Sequence, residues 1–252
     1  MSKKAYLLIL FALFSFFFCT EVKKDNSQEL LTYTISEPIL VPEPSGLDLS
    51  FDEKAFWVVS DQNSKVYLID SWGKEIKSFK VKGEDLEGIT VVNDSLLAIV
   101  IERTNEVVII DTSGSELKRS ALNLGKEFNS GLEGITYDAK HKKYYLLNEK
   151  KPRLLITLNA NLEELSRDTL NFAKDFSGIF FDDINNTLWM LSDESQQIIN
   201  TDLSGNPIKK FKIKVSQPEG ITFNKDRTKL YIVSDKTNNF YVFDIKDKIS
   251  KK

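Results

Sequence analysis

One cysteine and one histidine occur in 252 residues. A single cysteine, Cys19, makes an intramolecular disulfide impossible. A single histidine, His141, sits in the polar 140–143 turn segment and reads as solvated surface. Its isolation removes Ser-His-Asp and Cys-His nucleophilic sets and any zinc site built on histidines. Charge of one sign is also lacking. Thirty-four basic and 37 acidic residues give a net charge of −3, so the sequence offers no electrostatic footprint for nucleic acid. No stretch sustains a 3.6-residue apolar period, which excludes helical and α/β architectures. A chain of this length can bury about 70–75% of its unfolded surface, so a single core suffices without staples.

The N-terminus carries a separate message. Lys3 and Lys4 precede an apolar run over residues 5–18, followed by Cys19 and a polar stretch. A basic start with so short an apolar core reads as an export signal rather than a membrane span. The only cysteine stands where the apolar run stops. This points to a lipoprotein signal over residues 1–18, with lipid on Cys19 and residues 19–29 as a polar tether. The expected location is the cell envelope, with the protein membrane-anchored and facing the periplasm or cell exterior. Phe18 departs from the small residue usual before such a cut.

From residue 30 onward the chain repeats. A Ser or Glu followed by Gly and Ile or Leu occurs at Ser45, Glu87, Glu133, Ser177 and Glu219, with the glycines 42, 46, 44 and 42 residues apart. A second, always acidic anchor follows each glycine by 14 or 15 residues: Asp61, Glu102, Glu149, Asp193 and Asp235. A third follows by nine or ten more: Asp70, Asp111, Asn159, Asp202 and Asp244. Between anchors the sequence reads as strands. Unbroken apolar runs at 56–59, 96–101, 144–147, 188–191 and 230–233 suit strands buried on both faces. Lysine-alternating runs at 76–81 and 208–213 suit a solvent-facing outer edge. Four strands per unit of this length predict an all-β, five-bladed β-propeller of four-stranded antiparallel blades over residues 30–252. The fifth unit stops after three strands. Leu30, Tyr33 and Ile35 repeat the apolar spacing of Ile208, Phe211 and Ile213, so residues 30–35 are expected to complete the last blade and close the ring. Trp57 and Trp189 occupy equivalent buried-strand places and read as packing, whereas Trp72 lies in a turn.

Antiparallel pairing places the start of each first strand and the end of each second strand at one end of the blade. Ser45, Glu87, Glu133, Ser177 and Glu219 should therefore ring one mouth of a central channel, with Asp61, Glu102, Glu149, Asp193 and Asp235 nearby. Eight carboxylates around one opening repel one another unless something neutralises them. A hard cation such as Ca²⁺ would do so through Glu87, Glu133 and Glu219. Cations that follow acidic anchors, among them Arg103, Lys150, Lys151, Arg153 and Lys236, would do so by pairing or would hold an anionic ligand. The second anchor recurs in every unit, as acceptors for turn N–H groups would. The first alternates between Glu and Ser, as a specialised mouth would. Both readings stay open.

The segments Glu87-Gly88-Ile89, Ile101-Glu102-Arg103, residues 131–137, Asn148-Glu149-Lys150-Lys151-Pro152, Leu191-Ser192-Asp193-Glu194-Ser195, Pro218-Glu219-Gly220 and Val233-Ser234-Asp235 resemble the SdiA-regulated family. The resemblance spans about residues 30–245. It implies a bacterial propeller of the envelope and gives weight to Glu87, Glu133, Glu219, Glu102, Glu149, Asp193 and Ser195. More distantly the repeats are similar to NHL-type and gluconolactonase-type propellers, some of which bind calcium. Five units rather than six, and no matching Asn ligand, speak against inherited lactonase activity. The sequence therefore leads to a non-catalytic envelope propeller whose mouth binds a divalent cation or small ligand. Ser45, Ser177, Asp61, Glu102, Arg103, Glu149, Lys150, Asp193, Ser195 and Asp235 would line the site. A metal-assisted phosphoesterase or lactonase, and a protein-interaction scaffold, are the alternatives.

Overall fold

The computed structural model describes residues 28–124 and 131–246; the export signal, Cys19 and most of the tether lie outside them. Five antiparallel sheets form the blades of a propeller. The first blade comprises Pro44–Leu49, Ala55–Ser60, Lys65–Asp70 and Glu75–Lys80. The second comprises Leu86–Val91, Leu96–Ile101, Glu106–Asp111 and Glu116–Ala121. The third comprises Leu132–Asp138, Lys143–Asn148, Leu154–Leu158 and Glu164–Thr169. The fourth comprises Gly178–Asp182, Thr187–Ser192, Gln197–Thr201 and Pro207–Lys212. The fifth has Pro218–Phe223, Lys229–Ser234 and Asn239–Asp244 from its own repeat.

The N-terminus closes the ring, though not through residues 30–35 as a unit. Strand β1 (Glu29–Leu30) lies parallel to Pro207–Lys212 as a fifth strand of the fourth blade. Strand β2 (Ile35–Pro38) pairs antiparallel with Asn239–Asp244 and supplies the outer strand of the fifth. The apolar spacing misleads because Tyr33 packs edge-on against Tyr241 and Phe243, at 4.9 and 6.1 Å between centroids. It belongs to the crossing between blades rather than to either ladder.

The core is divided as the ring is. Five buried apolar clusters each lie between two neighbouring blades. Trp57 and Trp189 are only 4% and 3% exposed, and each packs on an outer-strand phenylalanine, Phe79 and Phe211. Lys77 and Lys209 lie over the Trp57 and Phe211 rings, at 5.0 and 4.4 Å, so the alternating lysines cover the aromatic layer with their stems. Trp72 is 74% exposed.

The third anchors are turn residues. Oδ1 of Asp70, Asp111, Asn159 and Asp202 each accepts two backbone N–H groups of the turn into the outer strand, at 2.8–3.0 Å. A short polar side chain two residues ahead of a backbone donor suits this role. His141 is exposed and also pairs, its Nδ1 lying 2.6 Å from the buried Asp138 carboxylate.

Around the axis the five first strands face one another at their glycines. A Cβ on Gly178 would stand 2.4 Å from the Glu219 carbonyl oxygen, and one on Gly46 2.6 Å from that of Glu87. Both obstacles are main chain, which cannot rotate away. Replacing Gly178 by Ala is expected to cost about 1–3 kcal/mol through overpacking, lowering Tm by roughly 2–10 °C for a domain of this size. Thermal unfolding of this variant beside exposed Lys80→Ala, which should match wild type, checks it.

Candidate functional site

In the second, third and fifth blades the first strand carries a bulge. The register steps from Leu86 to Gly88, from Leu132 to Gly134 and from Pro218 to Gly220 against one residue each on the partner strand. The residues left unpaired are Glu87, Glu133 and Glu219. A bulge re-aims the side chain of its extra residue, and here it turns each glutamate out of the ladder toward the axis. Glu43, Asp85 and Gln217, two residues ahead of the mouth positions Ser45, Glu87 and Glu219, are held at positive φ, a conformation that non-glycine residues adopt at a cost.

The second anchors arrive by a different route. The N–H groups of Asp61, Glu102, Glu149 and Asp235 bond to the carbonyls of Glu43, Asp85, Gly131 and Gln217 at 2.9–3.3 Å. Main chain therefore ties the blade end together, and the carboxylates are available to the space above. All five first anchors and all five second anchors line one cavity of about 870 Å³. Arg103 and Lys150 line it too. Ser195 is not among the lining residues; its hydroxyl instead accepts the Lys174 N–H at 2.9 Å.

Asp85, Asp175, Glu194, Gln217, Asn105 and Lys151 complete the wall, and the sequence reading did not place the first five there. A signal existed for three of them. Asp85, Asp175 and Gln217 each stand two residues before a first anchor, a regular spacing that also holds Glu43 and Gly131.

The cavity is a cup rather than a through-channel mouth. Beneath the glutamates the glycine-level space is only about 10 Å³, room for one water at most. Lower still, Asp48 ties three first strands together. Its carboxylate accepts the Thr90 hydroxyl at 3.0 Å, the Val91 N–H at 2.8 Å, the Thr222 hydroxyl at 2.9 Å and its neighbour Leu49 N–H at 2.8 Å.

Eleven carboxyl groups line the cup against three cations. Two of the cations are engaged: Arg103 with Asp85 at 2.7 Å, and Lys150 with Glu149 and Glu194 at 2.7 and 3.1 Å. Burial comes first in shifting the deep acids. It pushes Glu87 up to about 8, with the charges of Asp61 and Glu102 adding and a Ser45 hydrogen bond opposing. Burial pushes Asp61 up to about 7, helped by the adjacent Glu43 carboxyl. Glu133 and Glu219 lie well above the usual carboxylate range, through burial and then repulsion from Glu87. Glu102, Glu149, Asp193 and Asp235 are raised as well, chiefly by burial. Protons thus neutralise much of the floor. Among the described residues no three carboxylates, histidines or cysteines stand close enough to hold a metal ion. Glu87, Glu133 and Glu219 share the cup without forming a ready cage.

These features define a five-bladed β-propeller with a blind acidic cup on one face. The SdiA-regulated family model matches residues 31–244, and the chain belongs to the SdiA-regulated family. Solved structures share the fold at low identity. A glutaminyl cyclase from Myxococcus xanthus superposes with a TM-score of 0.68 at 9% identity, covering 85% of this chain and 95% of that one. A chain of a nidogen/laminin complex gives 0.59 at 15%, covering 80% and 75%. A streptogramin B lyase gives 0.53 at 16%, covering 83% and 72%.

Carboxyls with raised folded-state pKa hold protons that the unfolded chain has already released. Stability is therefore greatest below the unfolded values and falls as pH rises toward the folded ones. The melting temperature should drop between about pH 5 and pH 8.5. Glu133→Gln, which removes one buried ionisation, should flatten that decline and raise Tm at pH 8.5 by roughly 2–8 °C. A Tm that rises across this range would overturn the electrostatic account.

Proposed function

We propose that this protein is an exported, lipid-anchored propeller whose acidic cup binds a cationic ligand without chemical conversion. The observation that carries the reading is the excess of carboxylates over cations around a polar cup that is closed at one end. Such a surface concentrates positive charge and gains affinity when a cation replaces the neutralising protons. All the cup's negative donors are oxygens, so Ca²⁺ fits by chemistry. The spacing of the acids fits it less well, since a bare ion would be reached through water by separated carboxylates. A volume of about 870 Å³ is the size of an organic ligand site, and a small organic cation suits it better.

Calorimetric titration tests this with Ca²⁺ and with spermidine. Spermidine should bind, and Ca²⁺ should bind no tighter than about 0.1 mM, the range of weak extracellular sites. Spermidine affinity should rise from pH 6 to pH 9, by up to about tenfold per pH unit for each proton displaced. The absence of heat for both cations at millimolar concentration sinks the reading. Anchoring is tested separately: Cys19→Ala should shift the protein from the membrane fraction to the soluble exported fraction.

Two other readings have an observation each. Glu87 near 8 and Asp61 near 7 are poised to donate and accept protons at neutral pH, as a hydrolase's acid or base must be. A screen with phosphate esters, carboxylic esters and lactones tests it; activity that survives in both Glu87→Gln and Glu133→Gln argues against catalysis in the cup. Exposed Phe51, Trp72, Ile76, Leu117, Leu165, Ile184 and Ile208 sit by strand order at the blade ends opposite the cup, which favours a scaffold that uses that face.

A further inference from the structure

Where the ring closes, the wedge between the fifth and first blades lacks a side chain that other blades supply. In the first and fourth blades the third residue of the second strand is a tryptophan, Trp57 or Trp189. The outer strand covers it with Phe79 or Phe211, which pairs with the second residue of the third strand, Val66 or Ile198. Two positions ahead, Lys77 or Lys209 lies over the aromatic layer. The fifth blade again has an aromatic in the second strand, Tyr231. Opposite the second residue of its third strand, Phe240, stands Glu37, and Ile35 takes the lysine's place. The second blade has Ala98 at the tryptophan position and so no ring to cover. In the third blade the outer strand offers Asp168, and Phe176 of the following linker joins the cluster of Tyr145 instead. In the fifth blade the aromatic wall stays open. A cavity of about 270 Å³ lies against it, at the blade ends opposite the cup, with Tyr231, Phe240, Phe56, Ile35, Glu37 and the exposed Trp72 in its lining. The rings of Tyr231, Phe240 and Phe56 contact one another with centroids 4.8–5.5 Å apart.

We infer that this cavity is a second binding site, separate from the cup, for a small molecule with one aromatic ring and a hydrogen-bond donor on a short tail. The ring takes the place that Phe79 and Phe211 fill in the other blades, where it meets aromatic faces and edges. An apolar cavity of about 150 Å³ holds a benzene ring, so this one has room for a ring and a tail of a few atoms. Glu37 sets the chemistry of the tail. It is half-buried, makes no ion pair among the described residues, and as a carboxylate it only accepts hydrogen bonds. Glu53 is held by Lys225 at 3.8 Å. Lys54 and Lys229 also line the cavity, but both are exposed and reach water. A neutral or cationic donor therefore suits the tail, and a carboxylate does not.

Calorimetry with 2-phenylethanol tests the site, because this probe has no charge to draw it to the cup. It should bind at millimolar concentration, and Glu133→Gln in the cup should leave its affinity unchanged. 2-Phenylethylamine and phenylacetate are read by how well they displace it, with the amine expected to compete and phenylacetate to compete least. Glu37→Gln should weaken the amine by about two- to fivefold and leave the alcohol unchanged. Glu37→Phe restores the ring that the other blades carry. It should abolish binding of the alcohol and, by filling the cavity, raise Tm by roughly 1–8 °C. No heat with the alcohol, undiminished binding by a folded Glu37→Phe variant, or phenylacetate competing as well as the amine overturns the assignment, whatever the cup binds. Should Glu37→Phe fail to fold, the exposed change Trp72→Ala decides: weaker binding of the alcohol supports the site and unchanged binding overturns it.

Discussion

The closeness of five inner strands around one axis sets the terms for the rest of the molecule. Gly178 and Gly46 face neighbouring carbonyl oxygens at distances where no side chain fits. With that approach the apolar wedges between blades close against each other, and the axial space shrinks to almost nothing. A wider ring would leave a pore running through it. This one has a floor, so whatever collects at the acidic end must enter and leave by the same opening.

On that floor the fold gathers charge that the open chain keeps far apart. Three bulges turn glutamates inward, while backbone bonds at four of the second anchors leave the carboxylates of Asp61, Glu102, Glu149 and Asp235 for the wall. Packing energy from the five apolar clusters holds these groups together against their mutual repulsion. The deep acids respond by keeping protons, a state that is neutral and reversible. An acidic end of this kind is therefore reactive toward positive charge without being rigidly built around one ion.

Much of this was legible in the chain because the repeat exposes it. The glycine spacing, the two acidic anchors and the unbroken apolar runs together specify blade number, strand order and the face on which Glu87, Glu133 and Glu219 meet. What stayed hidden was set by contacts that have no period. Tyr33 looks like a strand residue by spacing, yet it lies between β1 and β2 and packs on Tyr241 and Phe243 of the fifth blade. The closing strand therefore falls at Ile35–Pro38. Asp175 and Glu194 reach the cup from the segments that flank the first two strands of the fourth blade, where Asp175 accepts the Ser192 hydroxyl at 2.5 Å; in the first and fifth blades the equivalent serines, Ser60 and Ser234, donate instead to the main-chain carbonyls of Pro42 and Ser216. Ser195, which the motif resemblance placed in the site, serves the neighbouring linker instead. The blind floor required coordinates, since a glycine in sequence does not say how near the opposing backbone comes.

The outer strand of the last blade is made first and its partner last. Thr34 bonds to Val242 across 208 positions, so β2 must wait without its ladder while nearly all of the chain is synthesised. Contacts so distant in sequence slow folding because a long loop must be ordered before they form. Until that final pairing the ring is an open arc with one bare edge. Closure therefore completes the fifth blade, whose outer edge becomes the short β2 in place of the apolar Asn239–Asp244 strand.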